Sequence, residues 1–197
     1  MPGPLSLRIA AVVPDTDAEG PGRRFAVWVQ GCSIRCPGCC NPEMFEAAGG
    51  EPTEPALLAA RAIATPGIEG VSVLGGEPFE QAAALVPFAR AVRAAGLSVM
   101  VFTGYTLEAL RARGDADVDA LLATCDLLID GPFEARRLDR TRRWIGSTNQ
   151  RVHALTTRAR ADDPRFAQPE EIEIRLERGV LTVNGWPAGA RRVVRSS

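Results

Sequence analysis

Lysine is absent from this chain: all 23 basic residues are arginine. That removes a Schiff base on the chain's own side chains, and with it covalent attachment of pyridoxal phosphate. With one histidine, His153, and one tyrosine, Tyr105, a Ser–His–Asp type of site is poorly supported. No apolar run is long enough to span a bilayer, and no signal-peptide pattern opens the sequence. A net charge of −1 supplies no global field, so neither nucleic acid nor membrane is an expected partner. With 197 residues, 46% hydrophobic and 24% charged, the composition is that of an ordinary soluble domain able to bury a substantial core. Thiols that await a metal also favour a reducing compartment, and a cytoplasmic protein is expected.

Cysteine is scarce as well, but it is concentrated. Four of the five cysteines fall in Gln30-Gly31-Cys32-Ser33-Ile34-Arg35-Cys36-Pro37-Gly38-Cys39-Cys40-Asn41. Three of them, Cys32, Cys36 and Cys39, stand in the order C-x3-C-x2-C. Three thiolates on one short loop can hold three irons of a cubane [4Fe–4S] cluster. No fourth ligand follows at ferredoxin spacing, so the fourth iron is left open to another molecule. Structural zinc is the alternative, but it needs four ligands, usually in two separated pairs. Cys39 and Cys40 are adjacent and cannot easily face one metal together, and His153 is distant. An odd cysteine count argues against a disulfide framework.

The rest of the chain alternates strand-like and helix-like stretches. Leu5–Val13 reads as a strand, Pro14–Gly22 as a loop, and Phe25–Val29 as a second strand that delivers the cysteine loop. A short helix is expected over Pro55–Ala64 and a strand over Gly70–Leu74, ending in Gly75-Gly76-Glu77-Pro78. A glycine pair after a parallel strand lets the backbone approach a ligand without interference from Cβ. A helix from about Phe79 to Ala95 follows, with Leu85, Val86, Ala89 and Val92 on its apolar face. Leu97–Phe102 is the next strand, closing in Thr103-Gly104-Tyr105. Thr106 is set to cap a helix over Leu107–Arg113, and Val118–Ala123 is another short helix. Asp126–Asp130 reads as a buried strand ending in a carboxylate, a suitable position for a site residue. Alternatively, Asp130 caps a helix starting after Pro132. Five arginines crowd the eight positions from Arg136 to Arg143, as a solvated helix face or as a docking patch for an acidic partner. Asp162–Pro169 is a polar linker. Ile172, Ile174 and Leu176, then Leu181 and Val183, alternate about Arg178-Gly179 as a β-hairpin on which Trp186 is available to pack.

The cysteine spacing after a strand resembles that of the radical S-adenosylmethionine (SAM) enzymes. Glu19-Gly20-Pro21-Gly22-Arg23 with Gln30-Gly31-Cys32 resembles the segment leading to the cluster in their glycyl-radical activating branch. The blocks Asp126–Phe133 and Trp144–Arg151 are similar to those of the activating proteins of anaerobic ribonucleotide reductases, and the resemblance spans about Glu19 to Leu155. It implies that Cys32, Cys36 and Cys39 hold one [4Fe–4S] cluster whose open iron is chelated by SAM. Reduction then yields methionine and a 5′-deoxyadenosyl radical that removes a hydrogen atom from a substrate. It further implies that Gly75, Gly76, Glu77, Pro78, Thr103, Asp130, Ser147 and Asn149 line the SAM site. Asp130 is implied to take part in catalysis and to help hold a monovalent cation.

The fold expected is α/β, an open partial (βα)6-like barrel with the cluster at its carboxyl rim. Residues 1–160 form the core, and residues 161–197 form a linker and C-terminal β-hairpin extension. The expected activity is formation of a glycyl radical on a partner protein, with flavodoxin or ferredoxin as external electron donor. Two alternatives stand beside it: radical SAM chemistry on a small molecule or ribosomal peptide, and an iron–sulfur or zinc module without chemistry of its own.

Overall fold

The computed structural model describes residues 5–177 and 180–185. The expected turn at Arg178-Gly179 and the packing of Trp186 fall outside the described residues.

Seven strands among the described residues form one sheet in the order β3-β1-β2-β4-β5-β6-β7. These are β1 (Leu7–Thr16), β2 (Arg24–Val29), β3 (Glu51–Thr53), β4 (Gly70–Gly75), β5 (Ser98–Phe102), β6 (Leu127–Asp130) and β7 (Arg151–Ala154). Among them, β2, β4, β5 and β6 run parallel. β1 and β3 complete one side antiparallel, and β7 closes the other side against β6. β1 runs on through Pro14 to Thr16, into the stretch expected to be loop, because its shifted register lets Thr16 pair with Arg24.

Helices α1 (Pro55–Ile63), α2 (Ala82–Ala94), α3 (Leu107–Arg111) and α4 (Ala116–Leu122) cover one face of the sheet. Strand periodicity decides that face. Val27, Val71, Val73, Val99, Val101 and Leu128 point toward Leu58, Leu85, Phe88 and Leu121 in the main core. The chain between β4 and α2 is a single 3-10 turn, Pro78–Gln81, so the helix begins later than its apolar pattern suggests. Thr106 accepts from Ala109 N at the start of α3, as expected, and Asp115 does the same for α4.

The opposite face carries Ala26, Trp28, Met100, Leu127 and Ile129. The expected linker is anchored there. Phe166, in a 3-10 turn over Pro164–Ala167, meets Trp144 edge to face at 5.4 Å. β8 (Ile172–Glu177) and β9 (Val180–Gly185) pair as the expected hairpin but form a separate two-stranded sheet. It rests on the end of β1: Asn184 donates to Thr16 Oγ1 at 2.7 Å, and Gly185 N donates to Glu19 Oε1 at 2.8 Å. No helix among the described residues is long and apolar enough to cross a membrane.

Candidate active site

Parallel strands deliver their carboxyl ends to one edge of a sheet, so the loops after β2, β4, β5 and β6 gather at one rim. The loop after β2 carries the cysteines. Gln30, buried at its start, donates from Nε2 to Glu46 O (2.8 Å) and Glu43 O (3.2 Å). Gly31 N donates to Met44 O and Cys32 N to Phe45 O, closing the loop onto the 3-10 turn Pro42–Met44 and the residue after it. Gln81 fastens the base from the other side, donating to Gln30 O and Arg8 O and accepting from Arg8 N. Glu80 accepts from Ser33 N at 3.0 Å and from Tyr105 Oη at 3.1 Å. Nothing about Gln30, Glu80 or Gln81 in the sequence marks these roles, since their partners lie far along the chain.

Cys32, Cys36 and Cys39 all line one cavity of about 390 Å³, with Gly75, Gly76, Glu77 and Thr103 on its wall. The main-chain amides of Ile34 and Arg35 approach the Cys32 sulfur, and that of Phe133 approaches Cys36. Asn41 N donates to Cys39 Sγ at 3.4 Å. Amide hydrogen bonds to thiolate sulfur are a principal means of tuning an iron–sulfur centre. Burial pushes the Cys32 and Cys36 thiols up, whereas a hydrogen bond from the Cys40 thiol pulls Cys39 down to about 6. Among the described residues no three Cys, His, Asp or Glu side chains converge on a single metal ion. A cubane distributes its ligands over separate corners, so three thiolates spread around a cavity and met by main-chain amides fit it.

The glycine pair is built against the cysteine loop. Gly76 N donates to Val29 O at 2.7 Å and Glu77 N to Gly31 O at 2.8 Å. A Cβ on Gly76 would stand 2.2 Å from Gly31 O, and Gly75 takes φ +101° against the β2 backbone. Gly76 is thus required by the neighbouring loop. Glu77 is 1% exposed, and burial raises it to about 7 against the hydrogen bonds of Phe79 N, Gly104 N and Thr103. Pro78 lies buried at the start of the 3-10 turn, outside the cavity lining.

The remaining expected site residues are elsewhere. Asp130 shares the helix-facing side of β6 with Leu128 and does not line the cavity. Its carboxylate accepts from Leu107 N at 2.7 Å, is forked by Arg151, and lies 3.1 Å from His153 Nε2. Burial opposes its ionisation, but the bonds from Arg151, Leu107 and His153 outweigh it and hold the carboxyl below its usual range. The Arg151 guanidinium supplies the positive charge beside Asp130. Asp130 caps α3, not a helix after Pro132, where only a 3-10 turn over Ala135–Arg137 forms. Ser147 Oγ accepts from Glu134 N, and Asn149 Nδ2 donates to Pro132 O at 2.7 Å. Both brace the loop after β6 from outside the cavity lining. Arg143, expected in a docking patch, is 6% exposed and pairs with Glu171 at 2.8 Å. Arg136, Arg137 and Arg140 remain exposed.

Cys32, Cys36 and Cys39, with Cys40 beside them on the wall of one cavity, are the kind of donor set that a single iron–sulfur cluster takes. The chain belongs to the 4Fe-4S single cluster domain family, whose model matches residues 18–153. It is 32% identical over 151 residues to the anaerobic ribonucleoside-triphosphate reductase-activating protein of Pasteurella multocida (strain Pm70), covering 73% of this chain and 94% of that protein. The protein of the same name from Escherichia coli (strain K12) is 32% identical over 148 residues, 70% of this chain and 92% of that protein. The one from Enterobacteria phage T4 is 28% identical over 152 residues, with 74% and 92% covered.

Proposed function

We propose that this chain is a radical SAM enzyme that forms a glycyl radical on a partner protein, an anaerobic ribonucleoside-triphosphate reductase of the kind its relatives are named for. The observation that carries this reading is the hydrogen bond from Glu77 N to Gly31 O at 2.8 Å, which sets the glycine segment and the cysteine loop on one wall. The reading takes the open sheet, helices on one face and cavity on the other, as a partial barrel of the radical SAM type.

Cys32, Cys36 and Cys39 would hold the cluster. When bound, the cluster and SAM supply a reductively generated 5′-deoxyadenosyl radical for hydrogen abstraction, the electron coming from a flavodoxin or ferredoxin. Gly75 and Gly76, on the cavity wall, would present main-chain atoms to the amino group of SAM. Glu77, already engaged by Thr103, Gly104 and Phe79, fixes that backbone in place. Trp28, Leu74, Phe102 and Phe133 give the cavity an apolar lining that limits water at the reacting centre.

The test is anaerobic reconstitution followed by dithionite. About four iron per chain, with methionine and 5′-deoxyadenosine as products, are expected. Adding the reductase should accelerate SAM cleavage and produce a glycyl radical signal in electron paramagnetic resonance. Tightly coupled turnover on a small metabolite with no protein present would overturn the reading.

A further inference from the structure

Alternation in β8 runs against the usual order. Ile172, Ile174 and Leu176 face solvent at 36%, 53% and 71% exposure. Between them, Glu173 and Arg175 turn toward the body of the protein: Glu173 Oε1 accepts from Asp17 N at 2.8 Å, and Arg175 donates to Asp15 O. A strand covered on one face ordinarily does the reverse, because a period of two places its whole apolar set on the core side. Polar contacts hold this hairpin down, and among the described residues its apolar face is left open.

The register shows where that face leads. Ile174 pairs with Val183, and directly opposed residues share a face of the sheet. Val183 lines the cysteine cavity. The apolar strip therefore starts in the cavity wall and continues outward through Ile174 to Leu176. It also lies beyond residue 153, where the family match ends, so it is an addition to the matched core.

We infer that this face is the docking surface for the protein substrate. It receives an extended, apolar stretch next to the residue that enters the cavity. The inference rests on the proposed function. A polypeptide entering along this wall crosses the rim at Val183 and meets Ile174 and Leu176 next, so one continuous segment can occupy both. A soluble metabolite small enough for the cavity would leave the strip bare.

The experiment uses the full-length reconstituted chain and, as probe, the anaerobic ribonucleoside-triphosphate reductase of the same organism. Wild type is compared with Ile174→Glu and with the milder Leu176→Ser. Both should keep their iron content and thermal midpoint, since Glu173 and Asn184 make the anchors at Asp17 and Thr16 from the other face and the main chain of Gly185 makes the one at Glu19. The reductase concentration for half-maximal glycyl radical formation should rise at least tenfold for Ile174→Glu and severalfold for Leu176→Ser. Unchanged values for both variants, with wild type active, would overturn the inference and leave the proposed function standing. A wild-type chain that sediments as a dimer while Ile174→Glu is monomeric would also overturn it, assigning the face to a second copy. Failure of wild type to act on the reductase at all would remove the proposed function, and the inference with it.

Discussion

Thr103 donates its hydroxyl to Glu77 Oε1 at 2.8 Å and so ties the ends of β5 and β4 across the cavity wall. Burial raises Glu77 from 4.5 to about 7, which means the folded chain favours its protonated form. The associated stability is fully present below about pH 4.5 and is lost as pH rises through 7, a change on the order of 3 kcal/mol. Glu19, raised to about 7 by burial, acts in the same direction. The thermal midpoint should therefore fall between pH 5 and pH 8, and Glu77→Gln should flatten part of that fall. A midpoint that climbs across this range would contradict the assignment.

Gly76→Ala is expected to cost iron as well as ligand binding. The added Cβ meets Gly31 O at 2.2 Å, and backbone on both sides leaves no flexible group to yield. Iron content after anaerobic reconstitution should drop well below that of wild type, alongside weaker SAM binding. Full iron content with impaired SAM binding would show that the cysteine loop tolerates the shift.

Cys32→Ala, Cys36→Ala and Cys39→Ala should each abolish the broad visible absorption of thiolate-bound iron. Cys125→Ala should retain it, because that thiol is buried in the helix-side core. Cys40→Ala should retain it too, since Cys40 stands outside the C-x3-C-x2-C set and hydrogen-bonds Cys39. An essential Cys40 beside a dispensable Cys39 would reverse the ligand assignment.

Asp130→Asn should reduce stability by about 2 kcal/mol, from the loss of the charged partner of Arg151 and weaker capping of α3. The wild-type contribution is present above about pH 3.8 and is lost as pH falls below it, since the folded group lies under its ordinary value. Formation of 5′-deoxyadenosine per cluster should stay within about twofold of wild type. A variant of normal stability with slow SAM cleavage would return Asp130 to the site.

Asp130 also shows what the sequence could and could not convey. Its parity with Leu128 places it on the helix side, and that much is readable from a period of two. Its partners are not: Arg151 and His153 sit on β7, a four-residue strand of mixed polarity whose pattern signals no strand. The cysteine loop was legible because its ligands are local, within one turn-rich stretch. Gly76 was legible as a glycine that some close approach required, but what approaches is Gly31, brought there only by the parallel pairing of β2 and β4. The hairpin strands were legible from alternation, yet alternation does not say which face turns outward. Charged contacts at Asp15 and Asp17 decided that against the usual rule.

The clasp formed by Gln30 and Gln81 bears on how the chain lives with air. The cysteine loop is fastened at its base by side-chain amides, short backbone contacts and the Arg8 guanidinium on Gly49 O and Ala48 O, and residues 31–50 contribute no strand to the main sheet. Stripping of iron by oxygen would then loosen one local excursion while the seven strands stay paired. Such a chain is mended by reloading and has no need to be made again.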